Sequence, residues 1–313
     1  MKKIIYLICI CLLFISAFFG DSFIFFSEIF DKSSTNYMIF WELRVPRVLL
    51  AFFVGAILAL AGLVFQTIFK NSLVTPYTLG VASGTTLFTA ICIVFFPLFS
   101  QIIASVFGSI ISILVLYIVS KNLNKYSFNT NSILLIGIAL SFFYSSALML
   151  VFYSSNLQEN YTIVRFTLGS LDTIGYKSAF IICCVAIFLI TFLSFYKQKF
   201  KQLLVSNESA FLKGMDVNKT NLIFLLLVTL CVGVSISFVG PIGFIGLVIP
   251  HILKLIYKIS SEKLFLHNFF FGGFFLVFAD FIARSLNTSS ILPIGVVTSF
   301  IGAPFFIYLL IKK

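Results

Sequence analysis

Apolar runs long enough to cross a bilayer, broken by short polar clusters, follow one another along almost the whole chain. A membrane-spanning helix needs about 20 predominantly apolar residues. Ten runs approach or meet that length, with ends good to a few residues: 4–20, 47–69, 79–98, 101–120, 132–153, 177–196, 221–239, 242–257, 264–284 and 291–311. They are continuous rather than alternating, unlike the strands of a barrel with a polar lumen. The pattern predicts an all-α polytopic membrane protein of about ten transmembrane helices, with residues 1–313 forming one transmembrane domain. The first run follows Lys2-Lys3 in the manner of a signal peptide. No small-x-small cleavage site precedes Asp21, so an uncleaved helix is expected. The eighth run is short, confined between Gly240-Pro241 and the polar stretch 258–263.

Composition agrees with this pattern. Hydrophobic residues make up 60% of the chain and charged residues 10%, with a mean hydropathy of +1.14. A soluble domain carries roughly 25% charged residues, so a soluble enzyme or a nucleic-acid-binding module is excluded. The net charge of +11 is a matter of placement. With the N-terminus inside, Lys2, Lys3, Lys70, Lys121, Lys125, the lysines between 197 and 219, Lys254, Lys258, Lys263, Lys312 and Lys313 all fall on the inner side. Lys32, Arg44, Arg47, Arg165, Lys177 and Arg284 fall outside, so every arginine is external. This is the positive-inside bias; it puts both termini in the cytoplasm and removes the case for nucleic acid.

Asp, Glu, Lys and Arg are absent from 48–69, 79–120, 132–153, 178–196, 221–250 and 286–311. Self-powered secondary transporters place functional charges at such depths. A membrane-embedded enzyme acting on lipid-linked substrates would likewise need buried nucleophiles, acids or metal ligands, and no such cluster lies in the runs. The six cysteines (Cys9, Cys11, Cys92, Cys183, Cys184 and Cys231) sit in apolar runs without metal-ligand spacing, and no metal or other cofactor is expected. No GxxxxGK occurs, so ATP is not bound through a P-loop.

Small residues recur on the second run at Ala51, Gly55, Ala59 and Gly62, and Gly80 and Gly84 form a GxxxG. Both patterns suit close helix packing, with a dimer face as the alternative. The inner loop 197–220 predicts a short amphipathic helix capped by Ser206 or Asn207 and ended by Gly214, exposing Ala210, Phe211 and Leu212. An ordinary interfacial helix is the alternative there. The outer segment 154–176 is part-apolar and predicts a helix at the outer mouth.

Three long motifs then occur in order. Leu43–Gly84 reads LRVPRVLLAFFVGAILALAGLVFQTIFKNSLVTPYTLGVASG, Gly240–Leu255 reads GPIGFIGLVIPHILKL, and Ala279–Pro304 reads ADFIARSLNTSSILPIGVVTSFIGAP. Over residues 40–313 the sequence resembles the iron-chelate and cobalamin permease family, the membrane subunits of type II ABC importers. ESAFLKGMDV in the inner loop and FTLGSL at Phe166–Leu171 resemble further family segments, the latter an outer re-entrant region. The departures are Ser72 where the family has proline, Lys254 where arginine is commoner and Lys213 where leucine is usual.

The resemblance implies ten spans with cytoplasmic termini in the bacterial cytoplasmic membrane. It implies a second permease copy or paralogue around one pathway, two cytoplasmic ABC ATPase subunits, and an outer solute-binding protein that delivers the cargo. Cargo would be an iron chelate, with a ferric siderophore favoured over haem and cobalamin. By the same resemblance, Arg44, Arg47 and Arg284 would dock carboxylates of the binding protein, a task that suits guanidinium. An Asp280–Arg284 pair at i,i+4 competes with that role. Glu208, Ala210, Leu212 and Gly214 would seat in the ATPase. The pathway is expected along the fifth run with the outer ends of the third and tenth, with Ser141, Ser145, Ser146, Phe142, Phe143 and Tyr144 as contacts or, alternatively, as packing residues.

Overall fold

The computed structural model describes residues 12–18, 26–31, 34–123, 130–256, 264–286 and 292–311. It is all-helical among these residues. After a short helix α1 (12–18) come α2 (Thr35–Ile68), α3 (Val81–Phe95), α4 (Gln101–Leu123) and α5 (Thr130–Ser154). The outer helix α6 (Leu157–Leu168) leads to α7 (Lys177–Phe195). On the inner side lie α8 (Lys197–Val205) and α9 (Asn207–Leu212), followed by α10 (Val217–Val239), α11 (Ile245–Ile256), α12 (Leu264–Ser285) and α13 (Ile294–Ile311). Among the described residues, six helices are long and apolar enough to cross a membrane, namely α2, α4, α5, α7, α10 and α12. The shorter apolar helices α3, α11 and α13 occupy the places of the remaining expected runs, and α1 that of the first. Cys9, Cys11 and the inner basic residues Lys125, Lys258, Lys263, Lys312 and Lys313 lie outside the described residues.

α2 is the axis of the bundle: 83% of its apolar window is buried inside the chain. Its small residues explain why. A Cβ added to Gly55 would lie 2.3 Å from the Gly272 carbonyl oxygen of α12, and one added to Gly62 only 1.8 Å from that of Gly246 in α11. Ala51 and Ala59 are fully buried on the same stripe. Lipid provides no hydrophobic force between helices, so close backbone approach supplies the association. The stripe is therefore an internal packing surface. In the GxxxG, Gly84 meets Ser112 of α4, whereas Gly80 takes φ +78° as the turn before α3. Thr89 and Ser105 share a 2.6 Å hydrogen bond between α3 and α4.

Two prolines free carbonyls that other elements then use. Pro46 has no N–H for the carbonyl of Glu42 four residues earlier, and residues Ile39–Arg44 widen into a π-helical turn. The Glu42 carbonyl instead accepts from the N–H of Gly175 at 2.8 Å, tying the outer segment to α2. Pro250, inside α11, does the same to Gly246. The inner loop holds the expected short helix as α9, and a further helix, α8, precedes it. Ser206 is extended at φ −160°, so the segment breaks into α8 and α9.

Candidate functional site

The outer cluster begins where α2 leaves its π-helical turn. Arg47 Nε donates to Asp280 Oδ1 at 2.9 Å, and its Nη1 to Asp172 Oδ1 at 2.7 Å. The other oxygen of Asp280 takes Arg284 Nε at 2.9 Å, and that of Asp172 takes Arg165 Nη2 at 2.7 Å. Five alternating charges thus run Arg284–Asp280–Arg47–Asp172–Arg165 from α12 across α2 to the outer segment. Arg284 Nη2 also reaches Ser16 of α1, and Arg44 Nη1 donates to the Phe18 carbonyl at 2.6 Å. Burial pushes the Asp172 carboxyl up, but the Ser170 hydroxyl, the Arg47 charge and Arg165 outweigh it and hold it below the usual carboxylate range. The Asp172 carboxylate in turn raises Arg165.

Arg44, Arg47 and Arg284 are therefore not water-exposed rim groups. Each is less than 10% exposed and is bonded inside the chain, because the bundle supplies buried acceptors that sequence spacing beyond Asp280 does not reveal. The most exposed guanidinium is that of Arg165, 58% exposed, on the wall of an open cleft of about 380 Å³ shared with Arg47, Tyr161, Ser170, Asp172 and Pro293. Sequence reasoning counted Arg165 only as an outer charge. The α6 capping box, Asn156 with Glu159, is the signal that marks its helix.

At the inner side, α9 is a short helix fixed at both ends. The Ser206 hydroxyl accepts from the Ser209 N–H at 2.9 Å. At the other end, Gly214 at φ +78° donates to Phe211 at 2.8 Å and Met215 to Ala210 at 3.1 Å, the paired bonds of a Schellman cap. Glu208, Phe211, Leu212 and Gly214 are exposed, and Asn207, Glu208, Phe211, Leu212 and Val217 line a shallow groove. Ala210 corrects the expectation of exposure. It is fully buried in the same apolar cluster as Phe200, Leu203 and Met215, so it seats α9 on the protein rather than facing a partner.

Above this loop, α2 ends in a second polar cluster. The carbonyl of Gly246 freed by Pro250 accepts from Gln66 Nε2 at 3.0 Å, and Lys254 Nζ donates to Gln66 Oε1 at 3.0 Å. Lys70 takes φ +50° just past α2 and donates its ammonium to the Leu203 carbonyl of α8. A non-glycine residue in the left-handed region costs roughly 1–2 kcal/mol. Lys70 is exposed as a residue, yet partial burial brings its ammonium below the usual lysine range.

α5 differs from all of this. Only 17% of its apolar window is buried within the chain. Phe142, Phe143, Ser145 and Ser146 are exposed, and Ser141 is half-buried and bonds back to Gly137 at 2.9 Å. Tyr144 turns the other way: it is buried with Leu87, Ala90, Val151 and Ile163, so it packs rather than lining an open face. Among the described residues no group of His, Cys, Asp and Glu is placed to hold a metal.

The three motif segments thus meet in space, the first with the third at the outer cluster and the first with the second at Gln66. Residues 7–312 match the FecCD transport family. The chain belongs to this family. An iron chelatin transport system permease protein of Helicobacter pylori is 35% identical over 90% of this chain and 85% of that protein. A vitamin B12 import system permease protein, BtuC of Photorhabdus laumondii, is 35% identical over 98% and 91%. A solved inward-facing structure described as a metal-chelate type ABC transporter superposes with a TM-score of 0.84 at 25% identity, covering 98% of this chain and 97% of that one. As a FecCD-family permease the protein is a polytopic transport subunit.

Proposed function

We propose that this FecCD-family permease is the membrane subunit of an ABC importer that carries a ferric siderophore across the bacterial cytoplasmic membrane. Haem and cobalamin are the alternative cargoes, since relatives are named for iron chelatin and for vitamin B12. The observation that carries the reading is the family match along residues 7–312, joined to an α9 that is rigidly capped yet leaves Phe211 and Leu212 71% and 84% exposed. An apolar pair presented on a fixed inner helix suits insertion into a cleft of an ATPase. Glu208 and Gly214 would complete that contact, the first as an exposed polar group and the second as the cap that holds the helix, with Ala210 supporting it from below.

The broad exposed face of α5 would meet a second permease copy or paralogue across the pathway, with Ser145 and Ser146 as its weakly polar lining and Ser141 behind them. The binding protein would dock over the outer cluster of Arg44, Arg47 and Arg284, with Arg165 as the guanidinium within its reach. Such low polarity inside the pathway fits a machine whose outer protein holds the cargo specificity. The test is to purify the cognate binding protein, identify which of the three chelates it holds, and reconstitute it with the permease and ATPases in proteoliposomes. ATP-dependent uptake of that chelate is expected, with Leu212→Asp abolishing uptake while the permease stays in the membrane. Uptake that proceeds without the ATPases would overturn the reading.

A further inference from the structure

Lys70 is an odd residue to find one position past a helix C-cap. Glycine is usual where the backbone turns left-handed. Lys70 adopts φ +50° while carrying its side chain across to α8. The carbonyl it reaches, that of Leu203, is among the last four of α8, which the extended Ser206 leaves without a partner in the helix ladder. A cation there also suits the helix dipole. One turn earlier on α2, Gln66 fills the vacancy that Pro250 creates at Gly246, and Lys254, on the same α11, donates to the Gln66 amide oxygen. The elements are thus joined in series: α9 to α8, α8 through Lys70 to α2, and α2 through Gln66 to the proline-interrupted α11.

We propose that Lys70 and Gln66 form a strut through which a displacement of the coupling loop is delivered to α11, so that both are positioning residues for transport. The proposal rests on the importer reading. Its physical basis is that α2, the most buried long helix among those described, moves as a body. α11 has lost one rung of its ladder at Pro250 and keeps its shape through a bond from α2. A shift of α8 is therefore passed on where α11 bends most easily.

The test uses the reconstituted complex of permease, ATPases and binding protein, with a ferric hydroxamate siderophore, haem and cobalamin supplied in turn. Cargo moved per ATP hydrolysed is measured for Lys70→Gly, Gln66→Leu, their combination and Lys70→Arg. Lys70→Gly relieves the left-handed backbone, so the protein should fold at least as well as the wild type. Transport per ATP should fall about tenfold in Lys70→Gly and in Gln66→Leu, while hydrolysis stays within about twofold. The double variant should be no worse than the worse single one, because both break one series. Lys70→Arg, which keeps a donor, should restore most of the ratio. A wild-type ratio in both single variants would overturn the strut. So would a loss in Lys70→Gly that arginine does not restore, or one in which hydrolysis falls in step with transport. Failure of the wild-type complex to import any of the three probes would instead overturn the importer reading, and the strut with it.

Discussion

α2 and α5 are both apolar helices of membrane-spanning length, yet 83% of one window and 17% of the other are buried within the chain. The difference lies in side-chain size rather than hydropathy. α2 presents Ala51, Gly55, Ala59 and Gly62 to its neighbours, and backbones meet there almost without intervening side chains. α5 presents Phe142, Phe143, Met149 and Leu150 outward. In a bilayer an apolar surface is satisfied by lipid or by another helix alike, so small residues decide which helix takes the centre. The central helix also carries the polar machinery: Arg47 near one end, Gln66 and Lys70 at the other, separated by about 30 Å at 1.5 Å per residue.

Five measurements would sharpen or break this contrast. Asp280→Ala should have the largest effect, because it leaves two buried guanidiniums without their shared carboxylate. Breaking such a buried pair costs about 3–5 kcal/mol. A sharp loss of folded protein in the membrane and a lowered melting temperature in detergent are expected; a normal melt would make the outer cluster dispensable. Gly62→Ala comes next, since the new methyl group would press on the Gly246 backbone. Overpacking of that kind costs about 1–3 kcal/mol, read as a drop in melting temperature.

The same experiment on α5 should give almost nothing. Leu150→Ala removes more apolar volume than Gly62→Ala adds, but at a position 70% exposed, so the stability of the single chain should change by less than about 0.5 kcal/mol. If α5 faces a second copy, Phe142→Cys in a background free of native cysteine should form a cross-link between permeases in the assembled complex. Failure to cross-link, with full labelling of that thiol by a lipid-soluble reagent, would assign the face to lipid. The smallest effect concerns pH. Asp172 is held below its ordinary value of 3.8, so its contribution is complete above that pH and is lost as pH falls through the lowered value. Acid strong enough to reach that lowered value should therefore loosen the Arg47 and Arg165 contacts, and Asp172→Asn should flatten the acid limb of the unfolding curve. A separate docking test follows from exposure: Arg165→Glu should weaken binding-protein affinity at low salt more than at high salt.

The chain's own residues determined the all-helical membrane class, because continuous apolar runs leave the backbone no partner but its own helix. From α3 onward they placed the runs to within a few residues, whereas α2 begins at Thr35, twelve residues before the run at 47–69; they also marked the caps of α9, since Ser206 and Gly214 act through local backbone chemistry. The i,i+4 pair of Asp280 with Arg284 was legible for the same local reason. What lies far apart in sequence was decided only by the tertiary structure. Spacing could not show that Asp172 would bind Arg47 across 125 residues, or that Gln66 would complete the carbonyl orphaned by Pro250. Nor could it tell Tyr144 from Ser145, or Ala210 from Phe211. Neighbours in a helix point about 100° apart, and which direction is inside depends on what packs there. For the outer arginines, spacing offers Asp280 as a partner of Arg284, but only the fold brings Asp280 and Asp172 to Arg47 and the Phe18 carbonyl to Arg44.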